Sequence, residues 1–203
     1  MQQHAKKLYN EVIAWRRHLH AHPELSYQEF ETSAFIKSVL DGWGVCWQPM
    51  AHTGVLAVIK GELVSDKVVA LRADMDALPI TERNAVSYAS LNNGVMHACG
   101  HDVHTSSLLG VVKILHSLRH RFGGTVKFIF QPGEERLPGG ATLMIKDGAL
   151  QDPVPGSVIG QHVMPTIECG KVAFRKGKLM ASMDELRVKV MGRGGHGAQP
   201  QDN

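Results

Sequence analysis

The sequence predicts an α/β fold in which a mostly parallel β-sheet is flanked by helices. Stretches with helical periodicity alternate along the chain with short apolar stretches of strand length, and this alternation is typical of βαβ units. Three of the apolar stretches, at 68–71, 125–130 and 157–161, are followed closely by acidic residues or by histidine. A chain of 203 residues, 43% of them hydrophobic, can bury a substantial core.

The N-terminal part predicts two helices. Residues 4–20 carry apolar side chains at helical spacing, and this helix ends before Pro23, which disfavours helical geometry at the preceding residue. Ser26 is predicted to cap the second helix, because Glu29 follows at the position that completes a capping box. Gly42 ends this second helix.

Strands and helices alternate in the rest of the chain. A short buried strand is predicted at 68–71 because the run is wholly apolar. Asp102 is predicted to N-cap a helix that ends near Leu118. The other predicted elements are strands at 45–49, 54–60, 125–130 and 157–161 and a short helix at 140–146.

Composition excludes several classes of protein. A formal net charge of +3 is too small to indicate binding to nucleic acid or to an anionic membrane. No apolar stretch is long enough to span a bilayer, and the charged start does not resemble a signal peptide. The odd cysteine count, with Cys46, Cys99 and Cys169, favours a reducing cytoplasm, where a free thiolate ligand can persist.

Residues 97–104, with the sequence HACGHDVH, carry the clearest metal-binding pattern. His97, Cys99 and His101 recur at every second residue. In an extended backbone, Cys99 and His101 would project to the same side and could bind one ion. Thiolate and imidazole suit zinc, and also manganese, iron, cobalt or nickel when carboxylates complete the shell. The alternative is that Cys99 is a small buried apolar residue and that the histidines are not ligands.

Acidic residues and a histidine follow the buried strands. Asp74 and Asp76 come after the first, Glu134 and Glu135 after the second, and His162 after the third. Ligands of open α/β sheets bind beyond the carboxyl ends of the parallel strands. The sequence therefore predicts that these side chains converge with Cys99 and His101 in one metal-centred active site.

The adjacent glutamates Glu134 and Glu135 are predicted to have different roles. In an extended or turn geometry, neighbouring side chains do not point at the same atom. One can bind a metal ion while the other collects the proton of an activated water. Gly133 before the pair and Gly139 after it indicate a tightly shaped turn. The alternative is a pair of solvent-exposed glutamates in a loop.

Five segments in the same order resemble those of one enzyme family, from about residue 10 to the last residue. The segments are RRHLHAHPEL at 16–25, LRADMDALP at 71–79, HACGHDVH at 97–104, FQPGEE at 130–135 and GGHGAQP at 194–200. They resemble the amidohydrolase branch of the dinuclear aminoacylase/carboxypeptidase metallopeptidases. This branch contains hippurate hydrolase, bacterial N-acyl-amino-acid amidohydrolases and plant hydrolases of indole-acetyl-amino acids.

The resemblance implies two domains. Residues 1–181 would form most of a zinc-exopeptidase-like catalytic domain, and residues 182–203 would begin a small α+β dimerisation domain with a strand at 185–190. Members of the family form homodimers, and the resemblance implies that His196 reaches a neighbouring active site and binds the oxyanion or the substrate carboxylate. Without the resemblance, a histidine between glycines is more often a flexible loop residue.

The resemblance also implies roles for the site residues. Four positions match metal ligands of the family: Cys99, His101, Glu135 and His162. When complete, the metal centre of the family holds two divalent ions, which can be zinc, manganese, nickel or cobalt. Glu134 matches the general base and acid, and Asp76 matches a carboxylate that supports the metal ligands. The implied reaction is hydrolysis of the amide of a small N-acyl amino acid such as hippurate, in which Glu134 moves a proton from activated water to the leaving amine.

The sequence departs from the family pattern in three respects. Gly133 stands where relatives usually have alanine, and Arg136 stands where they have a small neutral residue. Relatives are much longer, and their C-terminal segment supplies a further metal-binding histidine. We therefore expect a truncated chain, and whether this chain is active by itself stays open. Two alternatives also stay open: a dipeptidase or carboxypeptidase of the same clan, and a non-catalytic remnant that binds metal without turnover.

Overall fold

The computed structural model describes residues 2–181, 184–189, 191–192, 194–199 and 201. The chain divides into two compact units, Met1–Met164 and Pro165–Asn203. The domain boundary expected after residue 181 stays a prediction. Among the described residues, none of the helices combines the length and hydrophobicity needed to span a bilayer.

Among the described residues, the helices and strands lie in the first unit. Most predicted elements are confirmed, and α4 has the predicted bounds, whereas β3 is much longer than the predicted 68–71. In chain order the elements are α1 Gln2–Ala21, α2 Phe30–Gly42, β1 Trp47–Met50, β2 Gly54–Lys60, β3 Leu63–Asp74, α3 His101–Ser117, the 3₁₀ turn Arg119–Arg121, β4 Gly123–Gln131, α4 Gly140–Lys146 and β5 Ser157–Gly160.

The strand predicted at 185–190 is not formed. The described part of this segment, residues 184–189, has no strand structure, and Val190 lies outside the described residues. A strand needs a partner for its backbone hydrogen bonds. In the described part of the second unit, no strand is present to pair with this segment.

The predicted α/β class with flanking helices is confirmed, and the sheet is mixed. The strand order is β1-β2-β4-β3-β5. β3 pairs in parallel with both β4 and β5, whereas β1 pairs antiparallel with β2 and β2 pairs antiparallel with β4. The parallel half therefore consists of the three strands that precede the candidate site residues.

Two apolar clusters hold helices against the sheet. The larger cluster joins α2 and α3 to β2 and β4, with Ile36, Leu109 and Phe128 fully buried at its centre. The smaller cluster joins α4 to the sheet, and Met144 is the buried α4 residue in this cluster. Burial of each large apolar side chain contributes about 1.5–3 kcal/mol. These contacts give the loops at the end of the sheet a rigid base.

The carboxyl ends of the parallel strands lie at one edge of the sheet. Asp74, the last residue of β3, is in register with Gln131, the last residue of β4. Arg72 is in register with Gly160, the last residue of β5. The loops that follow these strands therefore begin side by side, as the sequence predicts.

The predicted capping box at Ser26 and Glu29 is wrong. The N-cap residue of α2 is Glu29, whose side chain makes no capping hydrogen bond, and the Ser26 hydroxyl donates to Asp76 at 2.6 Å. The carboxylate of Glu24 accepts a hydrogen bond from the backbone N–H of Thr32 at 2.8 Å. Glu24 therefore provides an acceptor for a backbone N–H group in the first turn of α2, which has no partner within the helix. A hydrogen bond to a buried carboxylate is stronger than a neutral helix cap, and Ser26 takes the stronger partner.

The predicted N-cap at Asp102 is also wrong. α3 begins at His101, and its N-cap residue is Gly100, which has no side chain to cap the helix. The carboxylate of Asp102 turns towards α1, where its Oδ2 lies 2.8 Å from His20 Nδ1 and 2.8 Å from Arg16 Nε. A buried carboxylate needs such charged partners. Asp102 therefore ties α1 to α3.

His20 links two carboxylates inside this contact. It is 4% exposed, and its Nε2 lies 3.0 Å from Glu82 Oε1 while Nδ1 lies 2.8 Å from Asp102 Oδ2. The hydrogen bond to Asp102 raises the pKa of His20, the burial of the ring opposes this, and Glu82 raises the pKa further. The other charged or aromatic groups around the ring are Arg16, Tyr88 and His97.

The stability of the chain is expected to depend on pH through His20. Because its pKa is higher in the folded state, the protonated ring stabilises the fold below the unfolded pKa of about 6.5, and this contribution is lost as pH rises through the folded value. His20→Gln is expected to lower the free energy of unfolding by about 1.5–3 kcal/mol near pH 6. The loss is expected to be smaller near pH 9, as urea titrations at both pH values would show.

An exposed histidine provides the control for this prediction. His120 lies on the 3₁₀ turn and is exposed, so His120→Gln is expected to change the free energy of unfolding little at either pH. A His20→Gln effect that is equal at the two pH values would contradict a stabilising charge on His20.

Candidate metal centre

The structure brings the predicted ligands together at the edge of the sheet. Cys99, His101 and His162 each offer a ligand atom within 4.8 Å of the others, and Cys99 Sγ lies 3.4 Å from His162 Nε2. His101, Glu134 and Glu135 form a second such group. Since His101 belongs to both groups, the five side chains surround one region.

His101 has the tautomer that a metal ligand needs. Its Nδ1 lies 2.9 Å from the backbone oxygen of Asp76 and 3.1 Å from Asp76 Oδ1. Both atoms are acceptors when the carboxylate is ionised, so Nδ1 carries the proton. His101 Nε2 is buried and has no hydrogen-bond partner among the described residues. An unpaired lone pair on a buried nitrogen fits a bound cation.

The backbone between Cys99 and His101 is not extended, contrary to prediction. Gly100 adopts a left-handed conformation with φ of +89°, and His101 is already the first residue of α3. A Cβ atom on Gly100 would lie 2.4 Å from Val163 Cγ2, so the close approach of the two segments also requires glycine. The two ligands meet through a turn, and not through strand alternation.

Only two of the three alternating side chains in HACGHDVH join the ligand groups. His97 is 4% exposed, and neither of its ring nitrogens has a hydrogen-bond partner among the described residues. Burial lowers the pKa of His97 to about 4, so its ring is neutral near pH 7. Its ring lies 6.4 Å from that of His20 and outside the groups of potential ligands found in the described chain.

Asp76 orients two of the predicted ligands. Its Oδ1 lies against His101 Nδ1, and its Oδ2 accepts hydrogen bonds from the backbone N–H of Glu135 at 3.0 Å and from Ser26 at 2.6 Å. Burial alone would raise the pKa of Asp76, but these hydrogen bonds lower it, so the carboxylate is ionised. These are the contacts expected of a carboxylate that supports metal ligands.

The electrostatics of the site favour a bound cation. Burial, together with the negative charge of Glu135 and Asp74, raises the pKa of Cys99 to about 12. Burial also raises the pKa of Glu134, and the neighbouring Asp74 and Glu135 add to this rise. A divalent cation among these groups would compensate the negative charge and deprotonate the thiol. The donor set of sulfur, imidazole and carboxylate suits zinc and related metals.

Two buried residues of the site had no individual role assigned from the sequence: Asp74, which was predicted only to converge on the site, and His104. Asp74, His101 and His104 form a third group of potential ligand atoms within 4.8 Å. Burial would raise the pKa of Asp74, but the hydrogen bond from His104 and the charge of Arg72 lower it to about 2. The signal was present in the sequence, since Asp74 ends β3 and His104 ends the HACGHDVH motif.

A segment before α2 holds the loop that carries Glu134 and Glu135. The carboxylate of Glu29 is fully buried and accepts a hydrogen bond from Gly133 N–H at 2.7 Å. The hydroxyl of Tyr27 donates to the backbone oxygen of Arg136 at 2.8 Å and accepts from Gly139 N–H at 3.0 Å. The loop is thus fixed at its beginning and its end.

Alanine at position 133 is expected to destabilise the chain. Gly133 has φ of +53°, and a Cβ atom would lie 2.3 Å from Tyr27 Cε1. Gly44 provides a matched control, because its φ is +66° and nothing lies within 4 Å of its Cβ position. Gly44→Ala is expected to cost about 1–2 kcal/mol from backbone strain alone. Urea unfolding should show a larger loss for Gly133→Ala, and equal losses would contradict the Tyr27 contact.

His196 belongs to the second compact unit. Its Nδ1 accepts a hydrogen bond from the backbone N–H of Ala198 at 3.2 Å, within an exposed turn. Its expected contact with substrate stays a prediction.

Comparison with known proteins agrees with the motifs. Residues 70–200 match the model of Peptidase family M20/M25/M40. The chain is 48% identical over 191 residues to N-acyl-L-amino acid amidohydrolase of Geobacillus stearothermophilus, covering 94% of this chain and 51% of that protein. It is 46% identical over 196 residues to N-acetyl-L-cysteine deacetylase of Bacillus subtilis, covering 96% of this chain and 46% of that protein.

The fold also matches a solved structure. The crystal structure of Bacillus subtilis YXEP protein, described as a dinuclear metal binding peptidase, has a TM-score of 0.74 and 42% identity, covering 79% of this chain and 45% of that chain. This chain thus spans about half the length of the relatives it matches. The resemblance inferred from the motifs is confirmed, and the chain belongs to peptidase family M20/M25/M40.

Proposed function

We propose that the chain forms the metal-binding part of an amidohydrolase that cleaves the amide of small N-acyl amino acids. The observation that carries this proposal is the convergence of Cys99, His101 and His162 within 4.8 Å, beside the two glutamates. The names of the relatives, an N-acyl-L-amino acid amidohydrolase and an N-acetyl-L-cysteine deacetylase, support the substrate class.

Four side chains would hold the metal: Cys99, His101, Glu135 and His162. When bound, a divalent ion such as zinc, manganese, nickel or cobalt polarises the scissile carbonyl and makes water more acidic. Asp76 keeps His101 in the tautomer that leaves Nε2 free, and it fixes the backbone at Glu135. A complete site would hold two ions. The free cysteines among the described residues support a reducing cytoplasm as the compartment.

Glu134 is the proton carrier in this proposal. Its carboxylate lies in one group with His101 and Glu135, and it is exposed at the mouth of the site. From this position it takes a proton from the water that attacks the acyl carbonyl, and it delivers the proton to the departing amine. The products are a carboxylic acid and an amino acid. His196 of a second subunit would bind the substrate carboxylate or the oxyanion in a homodimer.

A substrate panel tests the proposal. The chain, supplied with zinc, manganese, cobalt or nickel, would be assayed for amino-acid release from hippurate, N-acetyl amino acids and dipeptides. We expect release from the N-acyl amino acids, loss of activity with a chelator and recovery with metal. Preferential cleavage of dipeptides would assign the dipeptidase alternative instead. Metal binding without hydrolysis of any of these substrates would favour the non-catalytic alternative.

A further inference from the structure

We propose that His104 is a positioning residue, which is held by Asp74 and orients the metal ligand His162 by accepting a hydrogen bond from the backbone of Val163. This inference rests on the proposed metal site and adds residues to which that proposal gives no role. It follows from the hydrogen bonds that the two histidines make with the backbone N–H and the backbone oxygen of Val163.

The contact with Asp74 fixes the tautomer of His104. His104 Nδ1 lies 2.5 Å from Asp74 Oδ1, and both residues are 1% exposed. An ionised carboxylate can only accept, so the Nδ1 atom of His104 carries the proton and donates it. In the neutral ring, Nε2 is then left as an acceptor. The backbone N–H of Val163 donates to this nitrogen at 3.0 Å.

Val163 connects His104 to His162. The Nδ1 atom of His162 donates to the backbone oxygen of Val163 at 2.7 Å, so the lone pair of His162 is on Nε2, which lies 3.4 Å from Cys99 Sγ. The rings of His104 and His162 also meet edge to face, with centroids 4.6 Å apart. Val163 is therefore held at its N–H by His104 and at its carbonyl by His162.

The segment around His162 depends on such a contact. His162 and Val163 follow the end of β5 and have no regular secondary structure, and His162 is exposed. Strand pairing therefore does not fix the direction of the His162 side chain. The Asp74–His104 pair is buried on β3 and α3, and it extends the rigid core to this segment through one hydrogen bond.

The same hydrogen bonds argue that His104 is not a ligand itself. Its Nδ1 is protonated towards Asp74, and its Nε2 already accepts the N–H of Val163. His101, one turn earlier on α3, differs because its Nε2 has no hydrogen-bond partner among the described residues. His101 and His104 thus have separate tasks, which are to bind the cation and to direct another ligand.

Two amide substitutions distinguish the hydrogen bonds that the two ring nitrogens of His104 make. Asparagine places its amide near the position of Nδ1 and cannot reach Val163, whereas the longer glutamine can place an oxygen near Nε2 and accept the Val163 N–H. We expect His104→Asn to weaken zinc binding by about 10- to 100-fold and His104→Gln to restore most of it. Zinc affinity would be measured by competition with a chromophoric chelator, together with the urea midpoint of each variant.

His116 provides the control on the same helix, because its ring contacts Arg119 at the far end of α3. His116→Asn is expected to leave zinc affinity unchanged. If His104→Asn binds zinc as tightly as the unaltered chain, or if Asn and Gln weaken binding equally, the positioning role is overturned.

Nitrogen-15 NMR of the metal-free chain gives a second readout that needs no bound zinc. We expect His104 and His162 each to be protonated at Nδ1 in the unaltered chain, and His162 to lose this single tautomer in His104→Asn. A His104 protonated at Nε2, or a His162 tautomer unaffected by His104→Asn, would overturn the inference. Equal zinc binding by the unaltered chain and a Cys99→Ala variant would instead contradict the proposed metal site, and the NMR result would still decide the role of His104.

Discussion

Glu134→Gln is expected to lower the turnover of N-acyl amino acids by at least about 100-fold while metal binding is retained. Glutamine has nearly the same size as glutamate but cannot take a proton from water near pH 7. The predicted ligand of the pair is Glu135, whose backbone N–H is fixed by Asp76, so the change at Glu134 leaves this ligand in place. The measurements are kcat on hippurate or an N-acetyl amino acid and metal content by elemental analysis.

The neighbouring residue provides the contrast for this experiment. Glu135→Gln is expected to reduce metal content together with turnover, because an amide is a weaker ligand than a carboxylate. Glu62 is an exposed glutamate paired with Arg119, and Glu62→Gln is expected to change neither quantity. Near-normal turnover of Glu134→Gln with full metal content would show that Glu134 does not carry the proton.

The convergence of the site could be predicted from the sequence because strand ends determine it. Glu134 and His162 follow β4 and β5, and Asp76 follows β3, so a parallel arrangement of these strands places all three at one edge. The apolar runs that identify these strands are local features of the sequence. The position of the candidate site therefore depends on features that a single sequence contains.

The contacts that hold the site could not be predicted, because they join residues far apart in the chain. Glu29 and Gly133, which form one such contact, are 104 residues apart, and no local pattern connects them. Local patterns also misled at Ser26 and Asp102, whose residue types are typical of helix caps. A helix cap contributes only about 1 kcal/mol. At both positions a buried charged group offers a stronger partner, and this competition becomes visible only in the folded chain.

The turn at Gly100 shows a different limit. The alternation of metal-binding residue types correctly predicted that Cys99 and His101 lie close together, but the predicted extended backbone was wrong. A strand and a turn can both place residues two apart on the same side. Gly100 has a left-handed φ, and the space for a Cβ atom there is taken by Val163, a residue from a distant segment. The ligand pair was thus predictable from side-chain chemistry, whereas its backbone was not.

Cys99→Ala is expected to lower zinc affinity by more than the about 10- to 100-fold typical of residues that only support ligands. The sulfur atom lies 3.4 Å from His162 Nε2, and its removal leaves a site of imidazole and carboxylate donors alone. Cobalt substitution reports the change directly, because a thiolate–cobalt charge-transfer band should be present in the unaltered chain and absent in Cys99→Ala. Zinc titration by chelator competition gives the affinity.

The other two cysteines are matched controls for this substitution. Cys46 and Cys169 are both exposed free thiols, and Cys46→Ala and Cys169→Ala are expected to keep both the cobalt band and the zinc affinity. Because burial and nearby carboxylates hold the Cys99 thiol protonated up to a pKa of about 12, zinc binding near pH 7 must release its proton. Proton release should therefore accompany zinc binding in the unaltered chain and fall in Cys99→Ala. Equal proton release by both would mean that the thiol is not a ligand.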